Sequence, residues 1–288
     1  MAIKKKVLII GASGFIGKEL QKGLKNYETG TLRGRNIKDF SAEQLSKRLT
    51  GYYAIINLAG KSIFTLWTRK NKRKIYDSRI NTSNKLAEAV NIMKEPPELF
   101  INASAIGIYK PETIVKESND LYDNGFMARV VKEWEKSLNI IDSKRVGVSV
   151  LRIGVVLGKN GGAYKILRKL TRFNLGAYFD KGEQSLSFIW IKDLIRVFNF
   201  ILDKKITGTI NAVSPEPSNY RTLMRIMKKE LKAFIIWPVP SLILKIFLGE
   251  ASEILLNGQK VIPDVLLKNS FNFEASDIDT CIKKLESS

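Results

Sequence analysis

A doubly wound parallel α/β sheet, extended by a smaller and mainly helical C-terminal lobe, is the fold that this sequence of 288 residues predicts. Three observations predict it. The apolar run Val7-Leu8-Ile9-Ile10 passes through a glycine-rich turn into a helix-forming stretch. Short apolar, β-rich runs then alternate with longer helical patterns as far as Leu151. Beyond residue 160 the alternation loosens, and the segment from Trp237 to the end reads as mainly helical. Strands that alternate with helices need crossover connections, and these produce a parallel sheet covered on both faces.

The first turn is Gly11-Ala12-Ser13-Gly14-Phe15-Ile16-Gly17, followed by the helical Lys18-Glu19-Leu20-Gln21-Lys22-Gly23-Leu24. A strand, a glycine turn and a helix start form a cradle for a pyrophosphate. The helix dipole and free backbone N–H groups favour the anion, and glycines allow its close approach. The spacing is G-x-x-G-x-x-G rather than G-x-G-x-x-G, and an ordinary tight turn is the alternative. Its place after a buried strand favours the nucleotide site. The second strand, Glu28-Thr29-Gly30-Thr31-Leu32, runs into Arg33-Gly34-Arg35, with no carboxylate until Asp39. An acid about 20 residues past the first glycine would hold the ribose 2′-hydroxyl of NAD, whereas Arg accommodates the 2′-phosphate of NADP. Two guanidiniums can grip that phosphate bidentately; the other reading of Arg33 and Arg35 is a pair of solvated loop side chains. The pattern favours NADP.

Ser41-Ala42-Glu43-Gln44 has the form of a capping box and opens a helix to about Leu49, ended by Gly51. Tyr53 to Ala59 reads as a buried strand broken by Gly60, and residues 71–93 as a helix ending ahead of Pro96-Pro97. Leu99 to Ser104 is the next strand. Apolar positions at 126, 127, 130, 131, 134, 138 and 141 make an amphipathic helix, and Val146 to Leu151 a further strand. Gly161-Gly162 precedes a basic helix, Asp193 is the expected N-cap of a helix to Leu202, and Gly208 to Ala212 is a late strand. Pro215-Glu216-Pro217 marks a loop before a helix at 219–232. Residues 1–160, with elements at about 188–215 returning to them, form the expected nucleotide domain, and residues 161–288 the substrate-side and C-terminal lobe. Right-handed crossovers place every strand's C-terminal end on one edge, where ligands bind. The candidate cofactor contacts are Gly11, Ser13, Gly14, Phe15, Ile16, Gly17, Arg33, Arg35, Leu58, Ala59, Gly60 and Arg152.

Composition narrows the chemistry. With 44% hydrophobic residues the chain reads as a soluble globular protein. The apolar core of its first residues is too short for a secretory signal, and no stretch approaches the roughly 18 apolar residues of a membrane span. The longest candidate, Val239 to Leu248, is interrupted by Pro240 and Lys245. The lone Cys281 excludes an internal disulfide and fits a reducing, cytoplasmic setting. A net charge of +20 would suit nucleic acid or an anionic membrane surface as partner. Yet the basic residues are spread along the chain, without a zinc finger, an RNA-binding aromatic motif or a basic heptad. Even the densest run, Lys61 to Arg79 with seven basic residues against Asp77, reads as a solvated surface. No nucleic-acid partner is expected, and part of the charge helps to draw in an anionic cofactor. The absence of histidine excludes a Ser-His-Asp triad, a histidine base and every His-ligated metal site.

Several further runs carry a family resemblance: Ile56-Asn57-Leu58-Ala59-Gly60, Trp67-Thr68, Ser78-Arg79-Ile80, Asn102 to Tyr109, Trp134-Glu135, Leu151 to Gly158, Gly161-Gly162-Ala163, Pro238-Val239-Pro240, Leu248-Gly249-Glu250 and Gly258 to Pro263. In order and spacing the chain resembles, nearly end to end, the extended short-chain dehydrogenase/reductases. More narrowly, it is similar to their atypical epimerase-like branch with a C-terminal domain of unknown function. The resemblance implies a Rossmann-type sheet that binds NADP, with a C-terminal lobe over the cleft for a small-molecule substrate. Active members use a Ser, and a Tyr and Lys spaced Tyr-x-x-x-Lys on one helix face, where Lys tunes the Tyr proton. Here no Tyr is followed by Lys at that spacing, and Phe126 and Val130 stand at the two positions, reading as apolar stripe residues. Ser104 remains at the position of the catalytic serine, either to hydrogen-bond a substrate hydroxyl or carbonyl or to cap its strand. Tyr109 is the nearest alternative proton donor, or an ordinary loop aromatic. Trp190 stands where the family usually has histidine.

Three functions follow: an NADP-dependent oxidoreductase or epimerase-like enzyme acting on a hydroxyl- or carbonyl-bearing small molecule; a non-catalytic NADP-binding sensor or scaffold; and, more weakly, a basic protein on nucleic acid or anionic lipid with its dinucleotide loop secondary. Each fits a monomer or a homodimer.

Overall fold

The computed structural model describes residues 4–287. Along the first half run β1 (Lys6–Ile10), α1 (Phe15–Gly23), β2 (Glu28–Leu32), α2 (Ala42–Leu49), β3 (Ala54–Asn57), α3 (Arg69–Asn91), β4 (Leu99–Ala105), β5 (Ile114–Val115) and α4 (Phe126–Lys136). They are followed by β6 (Gly147–Ile153), β7 (Val155–Gly158), α5 (Gly162–Arg172), β8 (Ala177–Phe179), β9 (Ser185–Leu186), β10 (Phe188–Trp190), α6 (Ile191–Lys204) and β11 (Gly208–Ala212). The last part holds β12 (Ser218–Asn219), α7 (Tyr220–Glu230), β13 (Trp237–Val239), α8 (Ser241–Leu248), α9 (Glu253–Leu256), β14 (Lys260–Val261), α10 (Asp264–Lys268) and α11 (Ile278–Ser287).

Six strands form one sheet in the order β11-β6-β4-β3-β1-β2, and every pairing in it is parallel. Both faces are covered, which is why its strands read as unbroken apolar runs. Val7 and Ile9 of β1, with Ile56 and Ile101, pack against Leu20 of α1 and Val197, Phe198 and Ile201 of α6. The alternate residues Leu8, Ile10, Ile55 and Phe100 pack against Leu45 and Leu49 of α2 and Leu86 and Val90 of α3. Truncating a fully buried member such as Ile9 to Ala would cost about 2–5 kcal/mol.

Local chemistry sets the helix ends. Gln44 N–H donates to Ser41 Oγ while Ser41 N–H donates to Gln44 Oε1, the expected capping box. Thr68 accepts from Asn71 N–H, so α3 starts two residues ahead of the sequence expectation. The stripe expected to run to residue 141 leaves the α-helix at Lys136. Leu138 and Ile141 stay buried because short i→i+3 turns carry the chain round to the same apolar layer.

Asp193 is not a cap, because α6 begins at Ile191 after an N-cap at Trp190 that makes no side-chain bond. Its buried carboxylate instead accepts the backbone N–H groups of Glu274 and Ala275, at 3.0 and 2.9 Å, and pairs with Arg196 at 2.8 Å. It thereby ties the C-terminal segment to α6. Leu266, Phe271 and the apolar face of α11 (Ile278, Cys281, Ile282, Leu285) complete the same core as β1 and α6. Among the described residues, no helix is long and apolar enough to cross a membrane.

Candidate functional site

β1 has β2 on one side and β3 on the other, so the chain reverses direction across the sheet between them. A crevice opens outside the carboxyl ends of strands at such a switch point. The glycine turn crosses it. Gly11 has φ +85°, and a Cβ built on it would lie 2.8 Å from Leu58 O; one built on Gly17 would lie 2.5 Å from Gly11 O. Only glycine fits at either place. Gly14 N–H donates to Gly11 O at 3.0 Å, closing the turn, and α1 starts at Phe15 with no side-chain cap. The first-turn N–H groups thus lack a side-chain acceptor at the edge of a cleft lined by Gly11, Gly14, Phe15, Ile16 and Gly17. Such an end suits a diphosphate.

The loop after β3 forms the opposite lip. Asn57 is fully buried; its Oδ1 accepts Ala59 N–H at 3.1 Å, and its Nδ2 donates to Asn102 Oδ1 at 2.7 Å and Ser83 Oγ at 3.1 Å. Trp134 Nε1 also donates to Ser83 Oγ. These bonds fix Leu58, Ala59 and Gly60 against the glycine turn. A Cβ on Gly34 would come within 2.8 Å of Ala59 Cβ, so the Arg33-Gly34-Arg35 loop packs on the same lip.

The cleft divides at Gly14 and Gly60. One part, a cavity of about 1200 Å³, is lined by Ser13, Arg33, Arg35, Lys38 and Lys85 among others. Among the described residues, no carboxylate pairs with either arginine. The other part, of about 500 Å³, runs over the ends of β4 and β6. Ser104 is on its wall, with its Oγ donating to Glu135 Oε1 at 2.5 Å. Glu135 in turn is held by Arg152, from Nε at 2.9 Å and from Nη2 at 2.7 Å.

Arg152 and Tyr109 are placed differently from the sequence expectation. Both are enclosed, and neither lines either part of the cleft. Arg152 Nη1 donates to Tyr109 Oη at 2.7 Å, and Tyr109 donates to Asn211 Oδ1 at 2.9 Å. Burial pulls the Arg152 guanidinium down, but its bonds to Glu135 outweigh this and raise it. Burial also pushes the Tyr109 phenol up, against the pull of Arg152. These side chains form a strut behind the cleft. The strand position of Arg152 is legible in sequence; the inward turn of its side chain is not.

The helix that would carry the Tyr-x-x-x-Lys pair presents apolar contacts there. Val130 is buried with Trp67 and Ala103, and the Phe126 ring meets Trp67 edge-on at 5.1 Å. Trp190 is part of the main core, with Lys192 and Lys284 each 5.2 Å from its ring centre.

Three charged groups on the cleft wall were not singled out from the sequence. Arg79 Nη1 donates to the carbonyls of Lys61 and Ile75 at 3.0 and 3.1 Å, and its guanidinium lies 5.3 Å over Trp134. Burial brings it down to about 10. The run Ser78-Arg79-Ile80 marks it as a motif member without showing which way it faces. Asp123 and Glu253 meet across Gly125, where a built Cβ would be 2.9 Å from Asp123 Oδ2 and 3.7 Å from Glu253 Oε2. Burial, then Glu250 and Asp123, raise the Glu253 carboxyl. Its approach from the far end of the chain has no local signal. Among the described residues, no group of three or more acids and cysteines could hold a metal ion.

A parallel doubly wound sheet with a glycine turn over its switch point defines a Rossmann-type, dinucleotide-binding class of fold. The model of the NAD dependent epimerase/dehydratase family matches residues 7–213, and that of a domain of unknown function (DUF1731) matches residues 239–285. This chain belongs to the NAD dependent epimerase/dehydratase family. It is 32% identical to the epimerase family protein YfhF of Bacillus subtilis, over 80% of this chain and 77% of that one. It is 29% identical to the chloroplastic SDR39U1 homolog of Arabidopsis thaliana, also an epimerase family protein, over 97% of this chain and 86% of that one. The crystal structure of human epimerase family protein SDR39U1 with NADPH has the same fold, with a TM-score of 0.90, 24% identity and coverage of 98% and 99%.

Proposed function

We propose that this protein binds NADP across the switch point and acts as an oxidoreductase or epimerase-like enzyme on a small molecule with a hydroxyl or carbonyl group. The observation that carries the proposal is the uncapped, glycine-walled start of α1 in one cleft with two arginines that have no ion pair among the described residues. The start of α1 suits the diphosphate, and Arg33 and Arg35 suit a 2′-phosphate. NADPH bound to the human structural relative supports this choice. Residues 1–160 with 188–215 hold the nucleotide in this reading, and the rest of the chain closes the substrate side.

When bound, the nicotinamide supplies hydride transfer. The chain must then position the substrate and handle one proton. Ser104 donates its own proton to Glu135, so toward the substrate its oxygen is an acceptor that selects a hydroxyl. Glu253 manages the proton. Its carboxyl is raised by burial and neighbouring acids, and it borders Gly125, the residue before the position where the Tyr is missing. Arg79 faces the same space and can receive an anionic or carbonyl oxygen.

The test is NADPH oxidation across a panel of hydroxyl-bearing carbonyl compounds and sugar nucleotides, with Ser104→Ala as control. Turnover in the parent, lost in Ser104→Ala with NADPH affinity unchanged, is the expected result. Tight NADPH binding with no turnover on any compound would instead establish the sensor reading, which the apolar contacts of Phe126 and Val130 favour.

A further inference from the structure

Two segments of the C-terminal half carry an apolar surface that the described residues leave exposed. The eight-residue α8 has no buried residue; Ile246 is 70% exposed and Phe247 73%. Ahead of it, Phe234 is 86% exposed and Trp237 49%. The turn after α5 lies alongside: β13 pairs in parallel with β8, Trp237 N–H donates to Gly176 O, and Phe234 N–H donates to Asn174 Oδ1. Phe173 and Leu175 of that turn are exposed as well. Monomeric soluble proteins rarely present adjoining apolar groups of this size without a partner for them.

The charge around the surface indicates the partner. Residues 160–179 and 231–249 contain six basic residues and no acid, with Asp180, Glu230 and Glu250 at their borders, in a chain with 28 acids. Asp180, next to the first segment, is turned onto Ser241 N–H. Arg168 is taken up by Glu286 and Lys245 acts on Asp180, which leaves Lys165, Lys169, Arg172 and Lys232 without an ion pair among the described residues. Exposed Phe, Trp, Leu and Ile side chains interspersed along the chain with lysine and arginine match the boundary between anionic headgroups and acyl chains. The apolar side chains can enter by a few ångströms while the cations remain among the phosphates. We propose that α8, β13 and the turn after α5 form a docking surface for an anionic lipid bilayer, peripheral and reversible.

Trp237 provides a built-in reporter, because the other three tryptophans, at positions 67, 134 and 190, are buried. The experiment uses the full chain with vesicles of phosphatidylcholine alone or mixed equally with phosphatidylglycerol, read by co-sedimentation and tryptophan emission. The expected result is sedimentation with the mixed vesicles, a blue shift of emission, and quenching by brominated acyl chains. The double variant Ile246→Ser, Phe247→Ser should reduce the bound fraction about tenfold or more, as removal of two inserted side chains requires, with NADPH affinity unchanged. Absence of sedimentation, or sedimentation that the variant does not reduce, would overturn the proposal. So would a lipid-free blue shift that rises with protein concentration as light scattering reports a dimer, because a second copy would then cover this surface.

Discussion

Arg152 stands at a strand end beside the cleft, yet its guanidinium turns away and grips Glu135, which in turn orients Ser104. A side chain that leaves a buried carboxylate uncompensated when removed is costly, so Arg152→Ala should lower stability by about 3–5 kcal/mol. Chemical denaturation checks this, and NADPH titration of the residual folded protein should find its affinity nearly unchanged. Arg33 and Arg35 make the opposite case. They have no carboxylate partner among the described residues, and charge-assisted bonds are worth about 1.5–3 kcal/mol each before solvent screening. The double variant Arg33→Ala, Arg35→Ala should therefore weaken NADPH about ten- to a hundredfold in calorimetry, leave NADH as it was, and fold normally. The place of the pair beside the glycine turn was legible because it depends on a local offset from that turn. The Ser104–Glu135–Arg152 strut was not, because its members come from three elements and only the sheet register sets Ser104 beside Arg152.

Helix α1 depends on Gly17 for its approach to the turn. Gly→Ala within a helix normally adds about 1 kcal/mol of stability, but here the new Cβ would meet Gly11 O at 2.5 Å. Gly17→Ala should consequently destabilise the protein and abolish nucleotide binding, as thermal melting with and without NADPH would report. At the other end of the chain, α11 is held to α5 by Glu286, which accepts from Tyr164 Oη and both Nε and Nη2 of Arg168. Burial raises this carboxyl, but the Arg168 and Tyr164 bonds outweigh it and leave it lowered. A lowered folded-state value adds stability above the ordinary glutamate range and loses it as pH falls through the folded value. Hydrogen exchange in α11 should accelerate on acidification below about pH 4.3, the ordinary glutamate value, and Glu286→Gln should remove much of that dependence. Neither contact has a signature in the sequence, since each joins segments more than a hundred residues apart.

The architecture was legible because strand and helix periods alternate without a break through β6, and because each glycine or proline punctuation falls where an element ends. What the pattern did not reveal is how the chain closes. Asp193 captures residues 274–275, and the last helix packs into the core of the first strand, although its residues are numbered at the opposite extreme. The same closure brings Glu253 to the cleft wall, so in the proposed function substrate chemistry depends on the C-terminal region while nucleotide recognition depends on the N-terminal one. A ligand bound only by the folded state adds RT ln(1 + [L]/Kd), about 2.7 kcal/mol at a hundred times Kd, so saturating NADPH should raise the melting temperature of the whole molecule in one cooperative transition. The most direct measurement is calorimetric titration of the ligand-free protein with NADPH and with NADH. Saturable uptake of one NADPH per chain, with NADH at least about tenfold weaker as the loss of a doubly gripped phosphate requires, is the result predicted. No heat from either nucleotide at millimolar concentration, or an equal affinity for both, would contradict it.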